Sequence, residues 1–366
     1  MHTFLKRRVV VLGGYGEFSR RVASGIAALA PAECVLGLPP ASQATAFASR
    51  VGVPFMVLDP NDPASLHRLL EGAFAVVNVR GPFAAREHLV IAELCAQRGV
   101  HYVDPGDTRT YLTEFARLAR LARDHDALLV TGAGAAPAVT SALAAMLATE
   151  FDRVSEIQVL LSPGVGDERE LATTRAVLER AGVPLAKVSA RGREARDMAW
   201  SQKFDLPDPV GRRRGYLCDL PDLDLFLRHF GARTVIARAG LAPGLLSKLL
   251  ALLAALRRRG WIAQLSPFAA GLVRIGARLT RAEADAAAIR VAVRGSRNGA
   301  EQEHVACLIG RASAGPAMAA APIVTLVRTW LERGVRDAGA LACIGLLDFA
   351  DLKPELARHD IVLVRT

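Results

Sequence analysis

The stretch VVVLGGYGEFSRRVA, residues 9–23, decides how the rest of the chain is read. Its apolar run fits a strand buried on both faces. Gly13, Gly14 and Gly16 then form a turn, and helical spacing follows. Gly14, Gly16 and Ser19 fill the three positions of G-x-G-x-x-G. In that motif the first position allows a tight turn, the second lets a pyrophosphate approach the backbone, and the third lets the helix pack on the strand. The free amides and positive dipole end of the helix would then face the phosphates.

Outward from this unit, strand-like and helix-like segments alternate. Strands are expected at 8–13, 33–37, 54–58, 74–79, 100–103 and 127–130, with helices near 17–29, 41–50, 63–71, 84–97 and 110–124. The pattern implies an α/β fold with a doubly wound parallel sheet of Rossmann type over residues 1–149. A helix over 137–149 leaves that sheet, and the texture then becomes irregular. Strands near 290–294 and 305–309 point to a second, α+β domain over 150–315, for substrate and dimerisation. A long helix near 317–333 and a last strand in DIVLVRT belong to a C-terminal segment, 316–366, whose docking the sequence leaves open.

A chain of 366 residues suits two domains. The net charge of +10 comes almost entirely from arginine, since only Lys6, Lys187, Lys203, Lys248 and Lys353 are lysines. Such a balance attracts anions, but the basic residues are dispersed and aromatics are few, which argues against a nucleic-acid interface. Five scattered cysteines without a CxxC pair argue for a reducing compartment and against structural zinc. The apolar run after Lys6, Arg7 and Arg8 stops at Gly13, too soon for a signal peptide. The apolar run 245–256, within the segment 245–261, is too short to span a bilayer. That segment reads as a core or subunit-packing helix, or as an interfacial helix with Arg257–Arg259 and Trp261 at the headgroups. The expectation is a cytoplasmic homodimer acting on a small molecule, with no nucleic-acid partner and no metal.

Five segments carry a resemblance beyond the glycine loop: VVNVRGPF (76–83), GVHYVDPGDT (99–108), GAGAAP (132–137), PVGRRRGYLCDLPDLD (209–224) and the ending GALACIGLLDFADLKPELARHDI (339–361). In this order and spacing the chain resembles the saccharopine dehydrogenase-like oxidoreductases. The resemblance implies an NAD- or NADP-binding Rossmann domain, a second domain of dihydrodipicolinate-reductase type, and hydride transfer to or from a carbon–nitrogen bond. Two departures stand out. Many members end the second strand with Gly-Arg, which meets the 2′-phosphate of NADP; here the residues are Gly37-Leu38. Amino-acid-reducing members carry Asp-Pro-Gly where this chain has Ala136-Pro137-Ala138, which argues against saccharopine as substrate.

The cofactor contacts expected are Gly13, Gly14, Gly16, Glu17, Phe18, Ser19, Asn78, Gly81 and Pro82. At the uncharged ribose end Ser42 or Gln43 can hydrogen-bond the ribose and Arg20 or Arg21 can reach a phosphate, the alternative being an ordinary capped helix with solvated arginines. The catalytic candidates are Arg80, Asp104 and Tyr216. Arg80 can hold a pyrophosphate or carboxylate, or pair with a nearby acid. Asp104 can position a nicotinamide or imine, or cap its own loop. Tyr216 or His229 can donate a proton. Three readings stay open: an oxidoreductase acting on a C=N, C=C or C=O bond; a non-redox cyclase, lyase or binding protein on the same scaffold; and a membrane-associated or dimeric interaction protein.

Overall fold

In the computed structural model, residues 6–59, 62–81, 83, 86–162, 164, 178, 201–241, 252–254, 256–257, 259–279, 286–311 and 314–365 are described. The chain divides into two compact units, Met1–Ala138 with Ala319–Leu347, and Val139–Met318 with Asp348–Thr366. The C-terminal segment therefore contributes to both.

The first unit is built on β1 (Arg7–Leu12), whose Val9, Val10, Val11 and Leu12 are at most 1% exposed. One arm of the sheet runs from β1 through β2 (Ala32–Leu38) to β3 (Phe55–Val57). The other runs through β4 (Ala73–Asn78), β5 (His101–Val103) and β6 (Leu128–Thr131), all parallel. Val10 pairs with Val35 on one side and Val76 on the other, so every side chain of the central strand meets a neighbour. Strand order reverses between β1 and β4, which opens a crevice at their carboxyl ends. The expected doubly wound sheet is thus present, and a seventh strand extends it. Residues Gly339–Ala342 dock in parallel on β6, with Gly339 opposite Leu128.

Helix α1 (Glu17–Ala27) follows β1 and buries Val22, Ala23 and Ile26, a stripe at helical spacing. Gly25 permits close packing there. A methyl group at Gly25 would come within 2.7 Å of the Val324 side chain, which also belongs to the first unit.

The second unit holds a mixed sheet in the order β14-β12-β11-β7-β10-β9-β8. Its strands are β7 (Arg153–Ser162), β8 (Ser201–Leu206), β9 (Gly211–Leu217), β10 (Thr234–Leu241), β11 (Ala286–Arg297), β12 (Ala300–Arg311) and β14 (Val362–Arg365); β13 is the strand Gly339–Ala342 of the first unit. Strands β11 and β12 form a hairpin closed by Asn298 and Gly299, both at positive φ (52° and 81°), as a tight primed turn requires. Residues 245–251, 255 and 258 of the segment 245–261 lie outside the described residues. Among the described residues no helix is long and apolar enough to cross a membrane.

Adding one methyl at Gly25 crowds a stiff β-branched neighbour. Gly25→Ala should therefore cost about 1–3 kcal/mol in denaturant unfolding despite the better helix propensity of alanine. The double variant with Val324→Ala should recover most of that loss; unchanged stability of the single variant would contradict the packing.

Candidate functional site

The glycine loop sits at the carboxyl end of β1. Gly13 donates its amide to the Gly37 carbonyl at 3.2 Å, and a Cβ there would lie 3.3 Å from Ser19. At Gly14 a Cβ meets nothing within 4 Å, so its surface is open. Ser19 is buried, and its Oγ accepts the Gly14 amide at 3.2 Å. The hydroxyl at the third motif position therefore ties the loop, a role glycine could not fill. Gly16 is the N-cap of α1 in an extended conformation, with no side-chain cap. Glu17 occupies the first turn and accepts from Arg20 Nε (2.7 Å) and from Arg21 Nε (2.7 Å). The Arg20 hydrogen bond is the main cause that holds its carboxyl below the usual range. Arg20 and Arg21 thus bracket Glu17, and the three together leave one positive charge beside the helix N-terminus. Phe18 follows Glu17 in the same turn.

The end of β2 carries no charge. Leu38 is buried, and the Tyr15 hydroxyl donates to the Pro39 carbonyl at 2.5 Å while its ring meets Phe47 edge-on. Tyr15 thereby spans from the glycine loop to the strand end where an adenosine ribose sits in this class of fold. Sequence reading did not single it out, though an aromatic between two motif glycines was the available signal. Ser42 and Gln43 are exposed.

At the carboxyl ends of β4, β5 and β6 lies a buried polar cluster. Asp104, 0% exposed, accepts from the Gly106 amide (2.8 Å), the Thr131 hydroxyl (2.6 Å) and the Tyr111 hydroxyl (2.7 Å). Burial pushes its carboxyl up to about 6 against the opposing pull of those donors. Gly106 must be small, because a Cβ would lie 2.6 Å from Thr131 Oγ1. Asn78, also fully buried, donates to the Tyr102 hydroxyl (3.0 Å) and faces His88 Nδ1 (3.2 Å). Its Oδ1 accepts the Arg80 amide at 3.3 Å. Of the two readings of Asp104, the geometry gives the loop cap. Asn78 likewise braces the turn that carries Arg80.

That turn is pinned by Phe83, buried against His88 and Tyr111, whose carbonyl accepts the Thr108 hydroxyl (3.2 Å). Thr108 also N-caps α5 (Arg109–Phe115). Arg80 is half-buried, Gly81 is exposed with open space at its Cβ position, and Pro82 lies outside the described residues. His101 accepts the Leu128 amide, and burial lowers it to about 4, so it stays neutral between strands.

Tyr216 is 0% exposed on β9 of the second unit, where its hydroxyl faces no solvent. His229 ends the helix Asp222–His229 against Phe230. Both belong to the second unit, whereas the glycine loop belongs to the first. Among the described residues no group of three or more His, Cys, Asp or Glu could hold a metal ion.

Residues 9–143 match the family model described as the saccharopine dehydrogenase NADP binding domain. No curated protein matches the chain by sequence. Among solved structures, apo saccharopine dehydrogenase (L-Glu forming) from Saccharomyces cerevisiae is similar with a TM-score of 0.70 at 13% identity, covering 98% of this chain and 99% of that one. At this identity the likeness is one of fold. An engineered D-amino acid dehydrogenase gives 0.49 at 14% identity, covering 95% and 96%. Biliverdin reductase from Synechocystis sp. PCC 6803, in complex with biliverdin and NADP+, gives 0.39 at 14% identity, covering 96% of each chain. Neither of these two superpositions is close enough to bear on function.

The Asp104 carboxyl offers a test by pH. A carboxyl raised in the folded state from 3.8 to about 6 contributes stability that is full below 3.8 and lost as pH rises through about 6. The parent should therefore gain on Asp104→Asn by up to roughly 3 kcal/mol as pH falls from 7 to 4 in chemical unfolding. A gap that does not change with pH would show that the carboxyl is not held this way.

Proposed function

We propose, on the match of residues 9–143 to the saccharopine dehydrogenase NADP binding domain, that this protein is a nicotinamide-dependent oxidoreductase acting on a C=N, C=C or C=O bond of a small molecule. The observation that carries the reading is the loop 13–19. Its open Gly14 surface and the N-terminus of α1, which lacks a side-chain cap, stand at the point where strand order reverses. A bound dinucleotide supplies or accepts the hydride. The residues present fit it: Gly14 and Gly16 let a pyrophosphate approach, and the Arg20–Glu17–Arg21 group adds net positive charge. Arg80 has no described ion pair and stands two residues beyond the end of β4, so it is the group assigned to hold an anionic substrate group or the pyrophosphate. Asp104 and Asn78 act beneath the site, by fixing the loops that present it. Tyr216 has no part in this proposal, being fully buried on β9 of the second unit. Saccharopine is not the proposed substrate, since Ala136-Pro137-Ala138 lacks an acid.

A second reading, a non-redox enzyme or binding protein on the same scaffold, is favoured by one observation. Tyr15 lies across the ribose end of the crevice and bonds to the Pro39 carbonyl.

Fluorescence titration with NADH and NADPH separates the two. Binding of both, with affinities within about tenfold of each other, is expected because no charge at the end of β2 selects either. Gly14→Val should leave thermal stability unchanged, since its Cβ space is open, yet weaken both cofactors by about tenfold or more. No binding by the parent at millimolar cofactor would favour the second reading.

Arg80→Ala distinguishes the two roles of the guanidinium. If Arg80 holds a substrate carboxylate, KM should rise by about ten- to a hundredfold with cofactor affinity intact. If it holds the pyrophosphate, cofactor affinity should fall and become less sensitive to salt. Turnover and cofactor binding like those of the parent would remove Arg80 from the site.

A further inference from the structure

The second unit carries a cavity of about 300 Å³, lined among the described residues by Leu206, Pro207, Val305, Cys307, Val364 and Arg290, with Asp205 also on its wall. Arg290, Cys307 and Val364 are direct cross-strand partners on β11, β12 and β14 and so project from one face of the sheet. The row continues the other way through Leu160 on β7 to Arg238 on β10. Two guanidinium groups therefore stand in one row, their backbones about 10 Å apart across β7.

Neither group is satisfied by the protein. Arg290 Nη1 is buried with no hydrogen-bond partner, and Arg238, 4% exposed, has an unpartnered buried Nε. Arg213, on neighbouring β9, shows what a structural arginine looks like in this sheet. Its guanidinium donates to Ser162 Oγ (3.2 Å), the Val210 carbonyl (2.5 Å) and the Arg212 carbonyl (3.0 Å). The nearby acids act on these two arginines through space and make their ion pairs elsewhere: Glu303 bonds Arg294 at 2.8 Å, and Glu156 lies 4.0 Å from the same residue. Asp205 pairs with Arg212 at 3.3 Å, where both side chains are well exposed. The Arg290 guanidinium lies over the Phe204 ring at 5.5 Å, which fixes its place without supplying an acceptor. Arg290 is half-buried, and a guanidinium nitrogen hidden from water without an acceptor is costly; here it stands in the wall of a cavity with room for a small molecule.

We infer that this cavity is a binding site for a small amphipathic carboxylate, its anionic end on Arg290 and its apolar body against Leu206, Val305 and Val364. One unpaired guanidinium suits a monoanion better than a phosphate dianion, which needs several donors and would meet Asp205. The buried Cys307 thiol, pushed up to about 11 by burial, stays neutral and serves as apolar wall. The site lies wholly within the second unit and does not depend on cofactor binding by the first.

Hexanoate and hexanamide, equal in shape and different in charge, are the probes. In calorimetric titration of the full chain, hexanoate should bind and hexanamide should bind about ten- to a hundredfold more weakly. Arg290→Met should lose hexanoate binding while unfolding at a temperature no lower than the parent, because it removes a guanidinium nitrogen buried without an acceptor. Val364→Trp, which fills the cavity and keeps the arginine, should lose binding as well. The inference is overturned if hexanoate fails to bind the parent at tens of millimolar, if the two probes bind equally, or if Arg290→Met binds like the parent. It is also overturned if sedimentation shows a parent dimer that Arg290→Met dissociates, which would make this face a contact between copies.

Discussion

Three donors from three separate segments meet on the Asp104 carboxyl, and the geometry of the first sheet's carboxyl edge follows from that meeting. The Gly106 amide closes the turn after β5, Tyr111 brings in α5, and Thr131 brings in the end of β6. Burial opposes ionisation of the carboxyl while the donors favour it. The interaction can persist only because every oxygen is satisfied, since a buried polar group left unmatched costs more than a made bond returns. Tyr102 sits beside this cluster and joins it to Asn78, and through Asn78 to the turn that holds Arg80. A braced floor under the loops is what a cleft at the carboxyl ends of strands needs.

The alternation of strands and helices was legible because each strand of the first sheet is buried on both faces and reads as a short apolar run. The added strand Gly339–Ala342 was not. Its four residues, GALA, have little β propensity, and it becomes a strand by docking on β6. The hairpin of β11 and β12 was seen only in its middle, although Asn298-Gly299 is a strong turn signal that would have given its full extent.

At the site the motif located the loop correctly but not the work of each residue. Ser19 reads as the motif position that lets the helix pack on the strand, whereas its hydroxyl also fastens Gly14. Arg20 and Arg21 read as possible phosphate ligands, whereas Glu17, three and four residues away, holds both. Asn78 and Asp104 carry the right chemistry at the right strand ends, but their partners come from β5, β6 and α5. Pairings between segments so far apart in sequence follow from the folded sheet and leave no local signature. The paired acids of β7 and β12 and the unpaired arginines of β10 and β11 were invisible for the same reason.

Hydrogen exchange read by mass spectrometry, with and without NADPH, asks directly whether the loop after β1 is the dinucleotide site. Slowed exchange in peptides covering 13–20, and in those covering 79–83, is the predicted result, with the β11–β12 hairpin unchanged as an internal reference. Unaltered exchange at 13–20 under millimolar NADPH, or protection confined to the second unit, would contradict it.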